Sequence, residues 1–584
     1  MVGYRKRDEG RTFFMFHWDV EQIRKQINVI KGKENPSKVL KNVTYLNGPL
    51  KKWLSGHIWI SENRIIYVGE ELPENLENTE VVDCTGQFAV PGYIEPHAHP
   101  FQLYNPLTLA HYASLRGTTT LVSDNLLLSI LFNKQQAFSF INALDKEVSS
   151  FYWWARYDSQ TVLQNERQTY TKETLKAWTD HPNVLQGGEL TGWPKVLAGE
   201  DELVKAMIET RKNNKPIEGH LPAASAKTLT QLALLGVTSD HESMTGKDVF
   251  ERLRLGYNVA LRYSSIRPDL PALLEEMKEY DLASYDKIMF TTDGSTPAFY
   301  EQGVIDKMIS IALENGIPSE EAYNMASYNA ARHLRIDDVH GIIAPGQIAH
   351  INILSDINNP TPIAVLASGE WVLRNKEACM EEKPFPWADF DVEKLNISWE
   401  LKEADFQFET KTGLKMLNSV IIKPYEREEE ALAEDESYVM LIDRNGKWRV
   451  NTILKGFATN VCGFVSSYSN SGDIILIGRN KNRMIAAFNR MKQIGGGIVL
   501  SDNEELVYEL PLPLAGAFSD MPLVWLAKEN TKLKEMLQER GYRFEDPVYT
   551  LLFLSSIHLP YIRVTPAGIY NVMQKSILNP FEVR

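Results

Sequence analysis

The stretch from residue 91 to 335 alternates strand-like segments with helix-like runs, and this alternation constrains the fold more than any other feature of the chain. Apolar or alternating segments of strand length recur, and several are separated by amphipathic runs such as EDELVKAMIETRKNN. Eight strand-and-helix units in this stretch predict an α/β fold with a (β/α)₈ barrel of the TIM type. The predicted strands are FAVPGYIEPHAH and residues 118–124, 150–158, 184–192, 216–222, 236–242, 258–265 and 287–294.

The segments on either side of the barrel predict further units, as expected for a chain of 584 residues, which is too long for a single core. Residues 37–90 and 336–385 are β-like and predict a small β domain split by the barrel. Residues 395–584 predict a C-terminal α+β domain, in which the acidic stretch REEEALAEDESY is expected to be helical. Residues 1–36 read as an N-terminal extension with an amphipathic helix.

Polar residues interrupt the predicted barrel strands near their C-terminal ends, which form the catalytic rim of such a barrel. They occur on the first, fourth, fifth, sixth and eighth strands. Four histidines and two carboxylates on one rim are typical of a site for two divalent ions, with one carboxylate able to bridge them. The candidate ligands are His97, His99, Glu189, His220, His241 and Asp293.

Chance is the alternative explanation of the H-x-H pair. Twelve histidines in 584 residues give about 0.25 accidental pairs per chain, so the pair alone is weak evidence of a metal site. On a strand, positions i and i+2 point to the same face, so His97 and His99 can converge on one ion. His558 is a weaker candidate, for a substrate contact. The remaining histidines are expected to be structural: His17, His57, His111, His181, His333, His340 and His350.

Charge and cysteine content exclude several classes of protein. The formal net charge is −14 and no Lys/Arg-rich block occurs, which argues against nucleic-acid binding. The three cysteines lie far apart and form no C-x-x-C motif, so neither a disulfide framework nor a cysteine zinc site is expected. No signal peptide and no apolar stretch of membrane-spanning length is found. We therefore expect a cytoplasmic protein that binds a small molecule.

Several motifs together resemble one family. The order H-x-H, Glu, His, His, Asp resembles the amidohydrolase superfamily, and RGTTTLVSD, GGELTGWPKVL, GHLPAASAKTL, FTTDGSTP, MASYNAARHL and LPLPLAGAFSD resemble the bacterial adenine deaminase family. The resemblance covers nearly the whole chain after about residue 37 and places the six candidate ligands at the family's metal-binding positions. It implies hydrolysis of adenine to hypoxanthine and ammonia with two divalent ions, Mn²⁺ or Fe²⁺ before Zn²⁺. It also implies a homodimer or a larger homo-oligomer.

The chain resembles a divergent member of that family. Its sequence differs from the family's motifs at positions beside the candidate ligands. The segment after the H-x-H pair reads PFQLY instead of I-E-S-S, and the second strand ends SDNLL instead of D-P-H-E. The eighth strand ends Thr292-Asp293-Gly294 where the family has T-D-D. In the C-terminal domain, SYSNSGD replaces an H-D-S-H-N stretch.

Three of the candidate ligands also receive catalytic roles. Asp293 is expected to take a proton from the attacking water and to pass it to the departing nitrogen. Glu189 bridges the ions or orients the water, and His220 polarises a ring nitrogen or a carbonyl. Lys195 lies beyond Glu189, outside the fourth strand, which disfavours a carbamylated-lysine bridge.

Two alternative functions stay open at this point. One is an amidohydrolase that acts on another aminated heterocycle, a cyclic amide or a lactone. The other is a catalytically silent metal-binding homologue.

Overall fold

A computed structural model describes residues 20–164, 169–380, 384–408, 411–427, 431–503 and 505–584. Most of the expected N-terminal extension, including His17, lies outside the described residues. Helix α1 (Val20–Ile30) is described, and its one buried residue, Val29, packs with Val39, Trp59 and Ile66 of the first sheet. This amphipathic helix therefore packs on the first sheet through the side chain of Val29.

The first sheet has nine strands and combines two distant parts of the chain. Strand β5 joins the parts, because it pairs in parallel with β1 and antiparallel with β14. The order is β17-β16-β15-β14-β5-β1-β2-β3, with β4 also paired to β1. The strands are β1 (Lys38–Asn47), β2 (Lys52–Ser61), β3 (Arg64–Gly69), β4 (Glu80–Asp83), β5 (Phe88–Pro91), β14 (Ile351–Leu354), β15 (Ala364–Ala367), β16 (Glu370–Arg374) and β17 (Glu377–Ala378).

The second sheet is a nearly closed parallel barrel of eight strands, which confirms the predicted fold class. Its strands follow one another in chain order. They are β6 (Tyr93–Ala98), β7 (Thr118–Asp124), β8 (Ser150–Ala155), β9 (Val184–Leu190), β10 (Ile217–Gly219), β11 (Ser239–Asp240), β12 (Asn258–Arg262) and β13 (Ile288–Thr291).

Helices connect these strands and continue after the last one. They are α2 (Pro106–Ser114), α3 (Leu126–Leu131), α4 (Lys134–Ala143), α5 (Lys172–Asp180), α6 (Trp193–Leu197), α7 (Asp201–Lys212), α8 (Ala226–Leu234), α9 (Gly246–Arg254), α10 (Leu270–Met277), α11 (Ile305–Glu314), α12 (Ser319–Met325) and α13 (Tyr328–Leu334). No described helix combines the length and the apolar character needed to cross a bilayer.

Seven of the eight barrel strands are shorter than predicted, and the two shortest precede His220 and His241. The predicted strands 216–222 and 236–242 end in the structure at Gly219 and Asp240. Beyond these points the backbone bonds to a side chain instead of a neighbouring strand, because Leu221 N and Glu242 N both donate to the Asp240 carboxylate. The chain therefore leaves the barrel wall where the candidate ligands begin.

The C-terminal part contains a second nine-stranded sheet and a separate three-stranded sheet, β26-β27-β28. The larger sheet has the order β19-β18-β21-β20-β23-β22-β24-β25, with β29 paired to β21. The strands are β18 (Thr412–Met416), β19 (Ile422–Glu426), β20 (Glu436–Ile442), β21 (Trp448–Lys455), β22 (Gly463–Ser466), β23 (Ile474–Gly478), β24 (Gly497–Ser501), β25 (Leu506–Pro511), β26 (Ile562–Thr565), β27 (Gly568–Asn571), β28 (Ser576–Pro580) and β29 (Glu582–Val583). The helices are α14 (Lys481–Ile494), α15 (Leu523–Glu539) and α16 (Pro547–Phe553).

The prediction of a helix at REEEALAEDESY was wrong for the part of this stretch that the structure describes. Residues 431–435 are not helical and Glu436 begins β20. Strand β20 is paired on both sides, and the Glu436 carboxylate accepts hydrogen bonds from Tyr425 and Arg427. Sheet pairing thus overrides the local helix propensity of an acidic, alanine-containing stretch.

The C-terminal part packs over the rim of the barrel. Phe101 and Phe518 have ring centroids 4.9 Å apart, and Ser519 N donates to Leu103 O at 2.7 Å. One hydrophobic core cluster contains residues from both parts. The ends of the barrel strands are therefore covered by the C-terminal part.

Candidate metal centre

The structure brings all six candidate ligands together at the C-terminal ends of the barrel strands. His97 and Glu189 lie on β6 and β9, and the other four follow the ends of β6, β10, β11 and β13. Among the described residues, three groups have ligand atoms within 4.8 Å of one another. They are His97, Glu189 and His241; His97, His99 and Asp293; and His220, His241 and Glu242.

The first part of the cage is formed by the H-x-H pair and Asp293. The Nε2 atoms of His97 and His99 are 3.2 Å apart. Asp293 Oδ1 lies 3.5 Å from His97 Nε2 and 2.9 Å from His99 Nε2. These three atoms thus face a common point.

Glu189 connects the first part of the cage to the second. Its Oε1 contacts His220 Nδ1 and lies 3.5 Å from His241 Nε2. Its Oε2 lies 3.9 Å from His99 Nε2. One carboxylate therefore reaches both parts, which is the arrangement expected of a bridging ligand.

Two carboxylates behind the cage orient three of its four histidines, whereas the fourth, His220, faces the cage with its Nδ1. Glu218 lies 2.7 Å from His97 Nδ1 and 3.2 Å from His241 Nδ1, and Asp124 Oδ2 lies 2.9 Å from His99 Nδ1. Because the Nδ1 side of each of these three rings is held by a carboxylate, its Nε2 is directed into the cage, as is usual for metal-binding histidines.

Sequence reasoning missed these carboxylates, and it also missed Glu242, whose Oε1 is 3.6 Å from His241 Nε2. Glu218 lies two residues before His220, and Asp124 ends the second strand. Glu242 directly follows His241. All three carboxylates lie at or near the end of a predicted strand, and this position could have identified them.

Buried arginines balance the negative charge of the cage, and they were also missed. Arg156 Nη2 lies 2.7 Å from Asp124 and 2.8 Å from Glu189. Arg262 Nη2 lies 2.8 Å from Asp293 Oδ2. Arg262 thus contacts the Asp293 oxygen that does not face the histidines, whereas Arg156 contacts Glu189 Oε2, the oxygen that also lies 3.9 Å from His99 Nε2.

The electrostatics of the cage favour a bound positive charge. Burial by itself would raise the pKa values of Glu189 and Asp293, yet nearby cationic groups, including His220 for Glu189 and Arg262 for Asp293, hold both pKa values well below the ordinary range. Burial would lower the pKa of His99, but its bonds to Asp124 and Asp293 raise that pKa to about 10. Four imidazoles with ionised carboxylates form a donor set that fits divalent metal ions.

The cage opens on a cavity of about 770 Å³, within the usual size range of small-molecule sites. Barrel and C-terminal residues line opposite parts of it. The C-terminal side combines six apolar residues with six polar ones, which are Val420, Ile421, Leu552, Phe553, Leu559 and Pro560, and Asn418, Ser419, Asn470, Glu545, Tyr549 and His558. The cavity is thus closed by two parts of the chain.

His558, the expected substrate contact, also lines this cavity. Its ring centroid lies 5.2 Å from that of His220, and burial lowers its pKa to about 3, so it is neutral near neutral pH. None of the other described histidines belongs to the ligand groups. His340 and His350 stack on each other and bond Tyr152 and Ser150.

Three of the departures from the family pattern lie against one another. Tyr468 donates to Gln102 Oε1 at 3.1 Å. A Cβ atom on Gly294 would lie 2.9 Å from Gln102 Nε2, so an aspartate at that position would displace the glutamine. The changes at PFQLY, at the eighth strand and at SYSNSGD therefore lie together in a single place.

Comparisons with known proteins agree with this architecture. Residues 88–372 match the amidohydrolase family, and residues 417–576 match the adenine deaminase C-terminal domain. A protein of Halalkalibacterium halodurans named "putative adenine deaminase" is 51% identical over 97% of this chain and 99% of its own length. The chain belongs to the adenine deaminase family.

More distant similarities are also found. The adenine deaminase of Bacillus velezensis is 25% identical, over 94% of this chain and 98% of its own length. Among solved structures, a β-aspartyl dipeptidase of Fervidobacterium islandicum is 17% identical with a TM-score of 0.46, over 59% of this chain and 99% of that chain. Membership places the chain among metal-dependent hydrolases, in agreement with the donor set of the cage.

Proposed function

We propose that this protein hydrolyses adenine to hypoxanthine and ammonia. The observation that carries the proposal is the six-residue cage, whose two parts share Glu189 and open on a cavity that the C-terminal domain closes. The names of relatives aligned over almost the full chain support adenine as the substrate.

Two divalent ions would be held by this cage. His97, His99 and Asp293 would bind one, His220 and His241 would bind the other, and Glu189 would bridge them. Mn²⁺ or Fe²⁺ is proposed, and Zn²⁺ suits the same ligands, since imidazole and carboxylate bind all three. When bound, the ions supply the Lewis acidity that makes water nucleophilic near neutral pH.

Asp293 would move the proton during the reaction. Its carboxylate is ionised, because nearby cationic groups hold its pKa well below the ordinary range, so it can accept a proton from the attacking water. Attack at C6 of adenine gives a tetrahedral carbon, and its amino group leaves as ammonia only after gaining a proton. Asp293 would deliver that proton, while Glu189 orients the water and His220 polarises the substrate.

The experiment is a product assay on protein loaded with manganese or iron. Adenine, guanine, cytosine and adenosine are supplied separately, and ammonia and the deaminated base are measured. We expect hypoxanthine and ammonia in equal amounts from adenine. If adenine gives neither product while metal analysis finds two ions per chain, the proposed substrate is wrong.

The second candidate function is hydrolysis of another aminated heterocycle, a cyclic amide or a lactone. The clustered departures at Gln102, Gly294 and Tyr468 favour it, because they change the surface beside Asp293 without altering the six ligands. The same assay, extended to cyclic amides and lactones, would identify such a substrate.

A further inference from the structure

We propose that Asn470, in the C-terminal domain, determines substrate specificity by donating a hydrogen bond to a ring nitrogen of the purine. This inference rests on the proposed function. Asn470 lines the cavity onto which the cage opens, although its side chain is only 2% exposed. Its Nδ2 is buried and has no hydrogen-bond partner.

The loop that carries Asn470 is fixed on both sides. Ser469 Oγ donates to Asp473 O at 2.7 Å, and Arg444 Nε donates to Gly472 O at 2.7 Å. Tyr468 is tied to Gln102 of the barrel. These bonds hold the backbone of the loop on both sides of Asn470.

A buried N–H group without a partner destabilises the folded protein, so such groups are rare and call for an explanation. A hydrogen-bond acceptor on a ligand bound in the cavity would explain the unpaired N–H group of Asn470. The ring nitrogens of a purine carry lone pairs, and an asparagine amide can pair with adjacent acceptor and donor atoms, as it does with N7 and N6 of adenine in nucleic acids. The C-terminal wall of the cavity would thereby distinguish a purine from an apolar ring of similar size.

The test compares two variants that lack the donor, Asn470→Asp and Asn470→Leu, with the wild-type enzyme. The matched control is Asn480→Asp, the same chemical change at an exposed helix N-cap of the same domain, where aspartate caps equally well. Steady-state constants are measured with adenine and with 1-deaza-, 3-deaza- and 7-deazaadenine. Metal content and melting temperature are measured for every protein.

We expect kcat/KM for adenine to fall about tenfold in both Asn470 variants, the loss of roughly one hydrogen bond. The change should lie mainly in KM, with unchanged metal content. One deaza analogue should be a similarly poor substrate of the wild type and should lose nothing further in the variants. Asn480→Asp should behave as the wild type.

Two results would overturn the inference: unchanged kcat/KM in the Asn470 variants, or an equal further loss with adenine and with every analogue. If the wild type releases no ammonia from adenine, the proposed function fails separately. Calorimetric binding of adenine then decides the inference, and equal affinity of the wild type and Asn470→Leu would reject it.

Discussion

Two buried carboxyl groups, Asp293 at the barrel rim and Asp473 in the C-terminal loop that carries Asn470, have opposite pKa shifts. On the barrel side, Arg262 lies 2.8 Å from Asp293 and helps to hold its pKa well below the ordinary range. In the C-terminal loop, burial raises the pKa of Asp473 to about 7, and the nearby Arg444 donates to backbone carbonyls of Gly472 and Ala515 instead.

This difference indicates that the barrel rim and the C-terminal part contribute different functions to the site. At its rim the barrel maintains ionised carboxylates such as Asp293 and Glu189, each in contact with an arginine and with histidines, which suits the metal binding and proton transfer proposed above. The C-terminal part presents a largely neutral surface with an unsatisfied donor at Asn470. Chemistry is thus assigned to one side and recognition to the other, and variants of each side should fail in different ways.

The largest effect is expected for Asp293→Asn, on the barrel side. The amide keeps the size of the side chain but cannot accept the proton, so kcat should fall about 10²- to 10⁴-fold. Metal content by elemental analysis should stay near that of the wild type. Asp281→Asn, an exposed site in the left-handed conformation that asparagine also adopts, is the control. Near-normal turnover of Asp293→Asn would remove Asp293 from the mechanism.

A smaller effect is expected for Glu218→Gln. Glu218 accepts from the Nδ1 atoms of both His97 and His241, and the neutral amide would orient these rings less firmly. We expect metal affinity, measured by titration against a competing chelator, to fall about 10- to 100-fold. Activity should recover substantially at saturating metal. Wild-type affinity in this variant would show that Glu218 does not support the cage.

Tyr549→Phe should have a modest effect, because it removes a hydroxyl group that contacts both Gly294 and Ser265 of the barrel. The Tyr549 hydroxyl donates to Gly294 O at 2.7 Å, directly after Asp293. Its loss should lower kcat by up to about tenfold with unchanged metal content. Tyr570→Phe in the same domain should have no effect. If the two variants behave alike, the C-terminal domain does not position Asp293.

The smallest effect is expected for Asp473→Asn, and it concerns stability. The unfolded chain ionises this group near its ordinary pKa, about 3.9, whereas the folded protein keeps it protonated up to about pH 7. The wild type therefore loses stability as pH rises between these values, and the variant does not. Above pH 7 the variant should melt a few degrees higher, and the gap should close towards pH 4. A gap that is independent of pH would contradict the assigned shift.

The barrel and its rim could be predicted because both leave local signals. Strand-length apolar runs mark the barrel, and polar residues such as His97 and Glu189 interrupt them where the rim must lie. The carboxylates and arginines behind the cage could not be assigned in this way. The ion pair of Arg156 with Glu189 joins residues 33 positions apart, and their proximity arises only when the barrel closes.

Local propensity also failed where tertiary contacts decide the structure. The acidic stretch around Glu436 has helical character, yet sheet pairing and the bond to Tyr425 make it a strand. The predicted strands that contain His220 and His241 end early, because the Asp240 carboxylate accepts hydrogen bonds from the backbone N–H groups of Leu221 and Glu242. Neither interaction can be read from the neighbouring sequence.

The most direct test of the account is ammonia release from adenine while metal is titrated into chelator-treated protein. The six proposed ligands, with Glu189 between the two parts of the cage, predict no turnover without metal and a rise that levels off at two ions per chain. Full turnover after complete removal of metal, or saturation at a single ion, would contradict the two-ion cage.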